Sequence, residues 1–299
     1  MYNIITKLNI VFCGVIFVLL KLLTLNLHTY QEIDFSVFSN IQDFLRVYYP
    51  IQKRIADFIV KEDIDIAFFQ EVGQYRYEMS DAKLLGSIVK PSNYARILSN
   101  MLDEHGYENK FAWIFTHYGF GIWEEGNAII TKHKILDVEK WCVSNVNSPN
   151  DFHTRWILRV TIDVEKQLLD AYCVHFNWYE EGFEDEFKRL IQWIEEKGNR
   201  NFLIAGDFNI PSDSEYYKII ANAKVFGKKL TDCWLYCHPD NPDEPTFVGD
   251  VLSDCARIDY VLVSEHIICE NAKIVFADKN ARVSDHYGLF CELKFQKSR

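Results

Sequence analysis

In NFLIAGDFNIPSDSEYY (residues 201–217) an apolar run closes on a carboxylate and a carboxamide, Asp207 and Asn209. Residues i and i+2 of a strand point to one face, so the pair would aim an acid and an amide at one place. Gly206, Pro211 and the neighbouring serines equally suit an ordinary turn. The pattern recurs, however. Asn26 closes KLLTLN, Gln70-Glu71 closes DIAFFQE, and His175 and Asn177 close AYCVHFN. Asp259 sits within RIDYVLV, and Asp285-His286 precedes GLFCELKF. Singly, Glu71 could cap a helix, His175 could be a core imidazole and Asp259 could pair with Arg257. Together they place carboxylates, amides and imidazoles at the ends of strands otherwise built from Leu, Ile, Val and Phe. Strand ends are where sheet enzymes carry their active sites.

The elements that must position these residues follow from periodicity. Ile51, Ile55, Phe58 and Ile59 share a helical face within 51–62, and Phe183, Phe187, Leu190, Ile191 and Ile194 share one within 183–198. Glu184–Lys188 and Asp185–Arg189 support the latter at i, i+4. A helix is also predicted over 93–106, ended by Gly106, and a short one from about Ser214. Apolar runs predict strands at 21–28, 65–72, 110–118, 126–132, 155–164, 168–178, 201–207, 257–264 and 288–295. No repeat, low-complexity tract or Pro/Gly/Ser-rich linker divides them. The pattern is that of one α/β domain over residues 21–299, two sheets packed together with helices outside.

The chain has 299 residues, 48% hydrophobic and 15% aromatic, which supports a large packed core and excludes general disorder. Its 32 Lys and Arg against 43 Asp and Glu leave a net charge of −11. Such a protein repels a nucleic-acid backbone unless cations cluster locally, and Lys228-Lys229 is too short to be such a cluster. Nucleic acid is therefore a disfavoured partner. Eight cysteines occur without a Cys-x-x-Cys, and most lie in apolar runs, which reads as reduced core thiols of a cytoplasmic protein. Cys233 and Cys237 stand four apart, but His238 alone is a poor complement for a zinc site. Residues 1–20 read as an apolar extension before the first strand, with LNIVFCGVIFVLL at 8–20 between Lys7 and Lys21. A signal h-region or membrane anchor is the alternative there; no small-x-small cleavage site and no spacer before the strand support it.

In order along the chain, FFQEV, GNAIITK, VHFNW, IAGDFN, RIDYVLVS and VSDHYGL resemble motifs of the endonuclease/exonuclease/phosphatase superfamily. Its members include pancreatic deoxyribonuclease, abasic-site endonucleases, neutral sphingomyelinases and inositol-polyphosphate 5-phosphatases. The resemblance covers about residues 21–295. It implies a four-layer α/β sandwich, two packed mixed β-sheets flanked by helices, and a Mg²⁺-dependent phosphoesterase, with Mn²⁺ as a substitute ion. Cleaving a phosphoester requires a cation at the phosphate, an activated water and a proton for the leaving oxygen. Mg²⁺ takes oxygen ligands. The resemblance implies Glu71 as the principal metal carboxylate, with Asn26 and Asp285 nearby. It implies His286 as general base on water, oriented by Asp259, and Asp207 holding the nucleophile or helping the leaving group. His175 and Asn209 would donate to phosphate oxygens. Asn127 and Arg155 are weaker candidates for substrate contact, and a surface salt bridge is equally open to Arg155.

The fold does not choose the phosphoester; the loops should. NWYEEGFEDEF combines Trp178 and Tyr179 with Glu180, Glu181, Glu184, Asp185 and Glu186. GIWEEGN adds Trp123, Glu124 and Glu125, and DCWLYCHPDNPDEPTF adds Trp234 and Tyr236. Acidic loops repel a polyanion, whereas aromatic faces beside acceptors suit a sugar ring. Solvated acids and half-buried aromatics are the plainer account. KLLTLNLHTYQE, the His-x-x-Trp spacing of His175 and Trp178, and VSDHYGL are most similar to a bacterial branch of the superfamily. That branch includes maltose 6′-phosphate phosphatases and proteins named as regulators of fibrinogen binding. The expectation is a phosphatase acting on a small phosphorylated sugar such as maltose 6′-phosphate, with the sugar against Trp178 or Trp123. A phosphodiesterase, nuclease or sphingomyelinase-like, is one alternative; residues 8–20 would matter most for a lipid substrate. A non-catalytic binding module is the other, though it has no need of both Asp259 and His286.

Overall fold

The apolar runs become strands buried on both faces in a computed structural model that describes residues 10–12, 15–80, 82–84, 87–249 and 255–296. One sheet contains β1 (Ile10–Phe12), β2 (Val15–Asn26), β3 (Ile66–Gln70), β4 (Gln74–Tyr75), β5 (Lys110–Gly119) and β6 (Trp123–Thr131). The second is built from β7 (Lys134–Cys142), β8 (Trp156–Val164), β9 (Gln167–His175), β10 (Phe202–Asp207), β11 (Thr231–Asp232) and β12 (Asp259–Val263). The chain then returns to the first sheet with β13 (Ile267–Val275) and β14 (Gly288–Gln296). The first sheet runs β13-β14-β2-β3-β6-β4, with β1 on β2 and β5 on β6; the second runs β11-β12-β10-β9-β8-β7. Each is mixed: β2 with β3 and β9 with β10 are parallel, whereas neighbours such as β14–β2 and β10–β12 are antiparallel.

Side-chain parity along the strands assembles three apolar layers. Val18, Leu20 and Leu22 of β2, Phe68 of β3, Val160 of β8 and Cys173 of β9 meet between the sheets. The opposite residues Leu23, Leu25, Ala67 and Phe69 pack with α1 (Ile41–Glu62) and α2 (Tyr94–Glu104). On the far side Tyr172, Val174, Ile204 and Tyr260 pack with α3 (Phe183–Lys197) and with Ile220 of α4 (Tyr217–Ala221). Helices, sheet, sheet and helices form the expected four-layer sandwich. A short helix, α5 (Cys233–Cys237), inserts Cys233 and Trp234 into the middle layer.

The first long strand begins at Val15, six residues before the expected Lys21. Phe17–Thr24 pair with β14, and Val18 and Leu20 are buried. The boundary expected after residue 20 therefore falls inside a strand, because the alternation Val18-Leu20-Leu22 runs through it. The described part of the apolar stretch is sheet, and no helix among the described residues is long and apolar enough to cross a membrane. α1 starts at Ile41 rather than Ile51, with the Asn40 side chain accepting from Asp43 N–H. Pro50 lies inside it, a helix breaker by sequence, yet Phe44 and Tyr48 ahead of it are fully buried. β7 and β13, absent from the periodicity reading, are edge strands with polar outer faces.

Candidate active site

The parity that builds the middle layer continues one step beyond it. Asn26 follows Thr24 on β2, His175 follows Cys173 on β9, Asp207 follows Ala205 on β10, and Asp259 precedes Val261 on β12. The register pairs His175 with Asp207, and Asp207 with Asp259, so the second sheet brings all three to one end. Asn26 reaches Asp207 across the gap between the sheets. The polar residues converge on a cleft of about 570 Å³ whose lining includes Glu71, Arg155, Trp178, Asp207, Asp285 and His286.

Backbone geometry serves this convergence. Gly206 lies at φ +147°, and a Cβ there would stand 2.0 Å from the Val174 carbonyl oxygen, so no side chain fits immediately before Asp207. Glu71 and Asn209 adopt left-handed φ values of 49° and 53°. Such strain is sustained where a strand must turn away while its side chain stays in the site.

Asp207 is the hub. Its Oδ1 accepts from Asn209 N–H at 2.8 Å and its Oδ2 from Asn26 Nδ2 at 3.0 Å. Oδ2 also stands 3.7 Å from Nε2 of both His175 and His286. Asn26 Nδ2 donates to Glu71 Oε1 as well, at 2.9 Å, so one amide links the two carboxylates. His286 Nδ1 faces Asp259 Oδ2 at 2.8 Å. Asp285 Oδ1 lies 3.4 Å from His28 Nδ1, which also meets Glu32 Oε1 at 3.0 Å.

Electrostatics separate the two imidazoles. Burial opposes charge on His286, but the charge and hydrogen bond of Asp259, with Asp207 and Asp285 behind them, prevail and push it up to about 10. These neighbours favour the imidazolium, whereas the resemblance implies a neutral base. His175 moves the opposite way, driven well down by burial and by the Arg155 charge, and stays neutral. Burial and the Asp259 charge raise Asp207. Burial also raises Asp285 and Glu125, and the Glu71 charge adds to both.

Glu71, Asp285, Asp207 and the Asn26 carboxamide offer oxygen donors without sulfur, the donor set of a hard divalent cation. Burial, which raises Asp285 and Glu125 first, and the Glu71 charge, which adds to both, are what such a cation would offset. These residues therefore suit a hard divalent cation.

The remaining candidates divide. Arg155 is buried rather than in a surface salt bridge; its Nε donates to Asn177 Oδ1 at 2.9 Å and its Nη1 faces His117 Nε2 at 3.3 Å. Glu186 fixes Asn177 in turn, accepting from both its backbone N–H and its Nδ2. Trp178 lines the cleft and remains 42% exposed, beside the exposed Phe120 and Phe152. Asn209 lines the cleft while its Nδ2 donates to Phe176 O at 2.8 Å. Asn127 is not among the cleft residues: its Nδ2 donates to Trp156 O at 2.9 Å, tying the sheets together. Trp123 offers no face to a substrate, being buried and stacked on Tyr30 with ring centroids 4.8 Å apart. Of the acids after His175, Glu181 lines the cleft, while Glu184 turns out to Lys188.

His28 and His117 also line the cleft and lie outside the sequence reading; Glu125, read from sequence only as an acid of the GIWEEGN loop, lines it too. His28 stands two residues beyond Asn26 and Glu125 two before Asn127, a spacing that could have found them. His117 follows a β-bulge in β5, which leaves no periodic signal.

Residues 40–286 match the Endonuclease/Exonuclease/phosphatase family. The chain belongs to that family. Its members are generally hydrolases of phosphoester bonds and typically use divalent metal ions. Among solved structures, the chain is similar to an endonuclease/exonuclease/phosphatase family protein from Leptotrichia buccalis, at 23% identity over 92% of this chain and 100% of that one, TM-score 0.73. A family protein from Bacteroides vulgatus is similar at 18% identity over 93% and 99%, TM-score 0.66. D. rerio TDP2 complexed with single strand DNA product is similar at 15% identity over 92% and 98%, TM-score 0.61. At these identities the likeness is one of fold. No curated protein matches the chain.

Proposed function

We propose that this family member is a Mg²⁺-dependent phosphatase of a small phosphorylated sugar, maltose 6′-phosphate or a close relative, working in the cytoplasm. The observation that carries the hydrolase reading is the buried Asp207 carboxylate set 3.7 Å from Nε2 of both His175 and His286. Glu71, Asp285 and Asn26 would hold the cation, which when bound neutralises phosphate charge. Asp207, raised by burial, orients the attacking water and takes its proton as the new O–P bond forms. His286, cationic against Asp259, steadies the developing charge and returns a proton to the leaving oxygen as the old P–O bond breaks. In this reading Asp207 takes the base role that the resemblance implies for His286. Neutral His175 and the Asn209 backbone turn complete the phosphate pocket.

Charge and rim support a small ester. Among the described residues lining the cleft, Arg155 is the one Lys or Arg, whereas a nucleic-acid strand needs cations along several phosphates. Phe120, Phe152 and Trp178 present exposed faces beside the Glu181 acceptor, a surface suited to a sugar ring. The same rim could stack bases, and the D. rerio TDP2 structure holds a single strand DNA product; a phosphodiesterase on single-stranded nucleic acid is the second reading. A panel of phosphomonoesters, single-stranded and plasmid DNA and sphingomyelin, each with Mg²⁺, Mn²⁺ or EDTA, decides between them. Sugar-phosphate turnover with inert DNA is expected. Efficient DNA cleavage beside inert sugar phosphates would overturn the phosphatase in favour of the diesterase.

A further inference from the structure

Four of the eight cysteines in the chain meet where α5 packs against β12 and β13. The Sγ atoms of Cys233, Cys269 and Cys291 lie within 4.8 Å of one another, and all three residues are buried. Cys237 Sγ lies 3.5 Å from that of Cys269. Three elements bring them together. Cys233 and Cys237, four apart on α5, share a helix face. Cys291 points into the middle layer from β14. A register shift between Cys269 and Asn271 lets both Cys269 and Ala272 face that layer from β13.

Thiols behave as small hydrophobes, so burial alone does not separate a site from core filler. Separation does. A tetrahedral zinc ion with sulfur bonds of about 2.3 Å holds its sulfurs about 3.8 Å apart; Cys233, Cys269 and Cys291 lie within 4.8 Å of one another, and Cys237, outside that trio, stands 3.5 Å from Cys269. We propose that Cys233, Cys237, Cys269 and Cys291 bind a thiophilic divalent cation, zinc first, as a structural tetrathiolate. The sequence displays only the helical half of this site. His238 is not the complement, since its Nε2 faces Ala272 O at 2.8 Å. The strand cysteines are. The site is separate from the catalytic cleft, because Cys291 pairs with Leu22, which lies four residues and about 13 Å of strand before Asn26. Zinc uptake replaces four thiol protons, so occupancy rises with pH. The bound ion fastens α5 to the first sheet just ahead of the segment whose Thr246 hydroxyl accepts from Asp259 N–H and whose Phe247 bridges to His286.

The test uses the full chain purified under reducing conditions. Elemental analysis should find about one zinc per chain that survives dialysis against EDTA sufficient to remove Mg²⁺. Cobalt in its place should give thiolate-to-metal charge-transfer absorption and tetrahedral d–d bands, which the oxygen donors of the cleft do not produce. Cys237→Ser, at a half-buried position that tolerates a hydroxyl, should weaken zinc more than about tenfold against a chromophoric chelator, since even an outer partner of a ligand is worth that much. Cys142→Ser should leave zinc affinity unchanged. Wild-type protein with every thiol reduced that shows no thiolate–cobalt band would overturn the site. Zinc binding by Cys237→Ser equal to wild type would overturn the four-thiolate assignment.

Discussion

Asp259→Asn tests the charge assigned to His286. The carboxylate stands 2.8 Å from His286 Nδ1 and is fully buried. The rise of His286 from 6.5 to about 10 corresponds to roughly 5 kcal/mol of preference for the cation. Burial works against that preference, and Asp259 is the largest influence in its favour. Replacing it with a neutral amide of the same shape should lower His286 by at least about two pH units. Imidazole nitrogen NMR of the EDTA-treated protein across pH 5–11 reads this directly. The stability sign follows from a folded-state value above the unfolded one. The pair's contribution is complete below about pH 6.5 and is lost as pH rises through about 10. Urea midpoints of wild type and Asp259→Asn should therefore differ most near pH 6 and converge towards pH 10. Turnover should fall at least about 10²-fold, the lower range for a misplaced acid–base group. A His286 that titrates alike in both proteins would refute the assignment, whatever the kinetics.

Asp232→Ala should cost about 3–5 kcal/mol in urea unfolding, because it strands the buried Arg257 now paired at 2.9 Å; Asp232→Ala with Arg257→Met should recover part of the loss. A chain beginning at Lys21 should be about 3–6 kcal/mol less stable than one beginning at Val15, through lost burial of Val18 and Leu20, and equal midpoints would restore the later strand start. Glu71→Gln should raise the Mg²⁺ concentration needed for half-maximal activity at least about tenfold, and an unchanged Mg²⁺ profile would remove Glu71 from the metal. Trp178→Ala should raise KM for a disaccharide phosphate several-fold, about 1 kcal/mol, with kcat for a small generic phosphoester preserved; a pure kcat loss would contradict a stacking role.

The legible part of this site is the part written in strand parity. Asn26, His175, Asp207 and Asp259 extend apolar alternations by one step, and a one-dimensional pattern carries that information. Gln70 marks the limit, since it shares the parity but donates its Nε2 to Cys173 Sγ across the sheets. Asn127 and Trp123 mislead for one reason: sequence places a side chain near a strand end without saying which layer covers it. Arg155 was ambiguous because its orienting partner, Asn177, lies 22 residues away. His117 depends on a bulge, and the thiols of Cys269 and Cys291 reach α5 only through tertiary packing. The start of the first strand was obscured by the hydrophobicity that makes it a strand, because an edge-to-edge apolar run reads equally as an anchor. Periodicity shows α1 only after Pro50, whose local penalty is outweighed by aromatic packing visible only in three dimensions.

β14, the last strand described, lies between β13 and β2, and Asp285 and His286 directly precede it. During synthesis, Asn26, Glu71, His175, Asp207 and Asp259 therefore leave the ribosome before the imidazole that completes them. Until residues 288–296 emerge and pair with β2, the first long strand keeps a bare edge, and the proposed centre is not held together. Ribosome stalling, a late nonsense codon or clipping of the final segment would leave most of the sandwich layers present but the chemistry silent. Catalytic turnover in this architecture certifies that β14 has paired with β2.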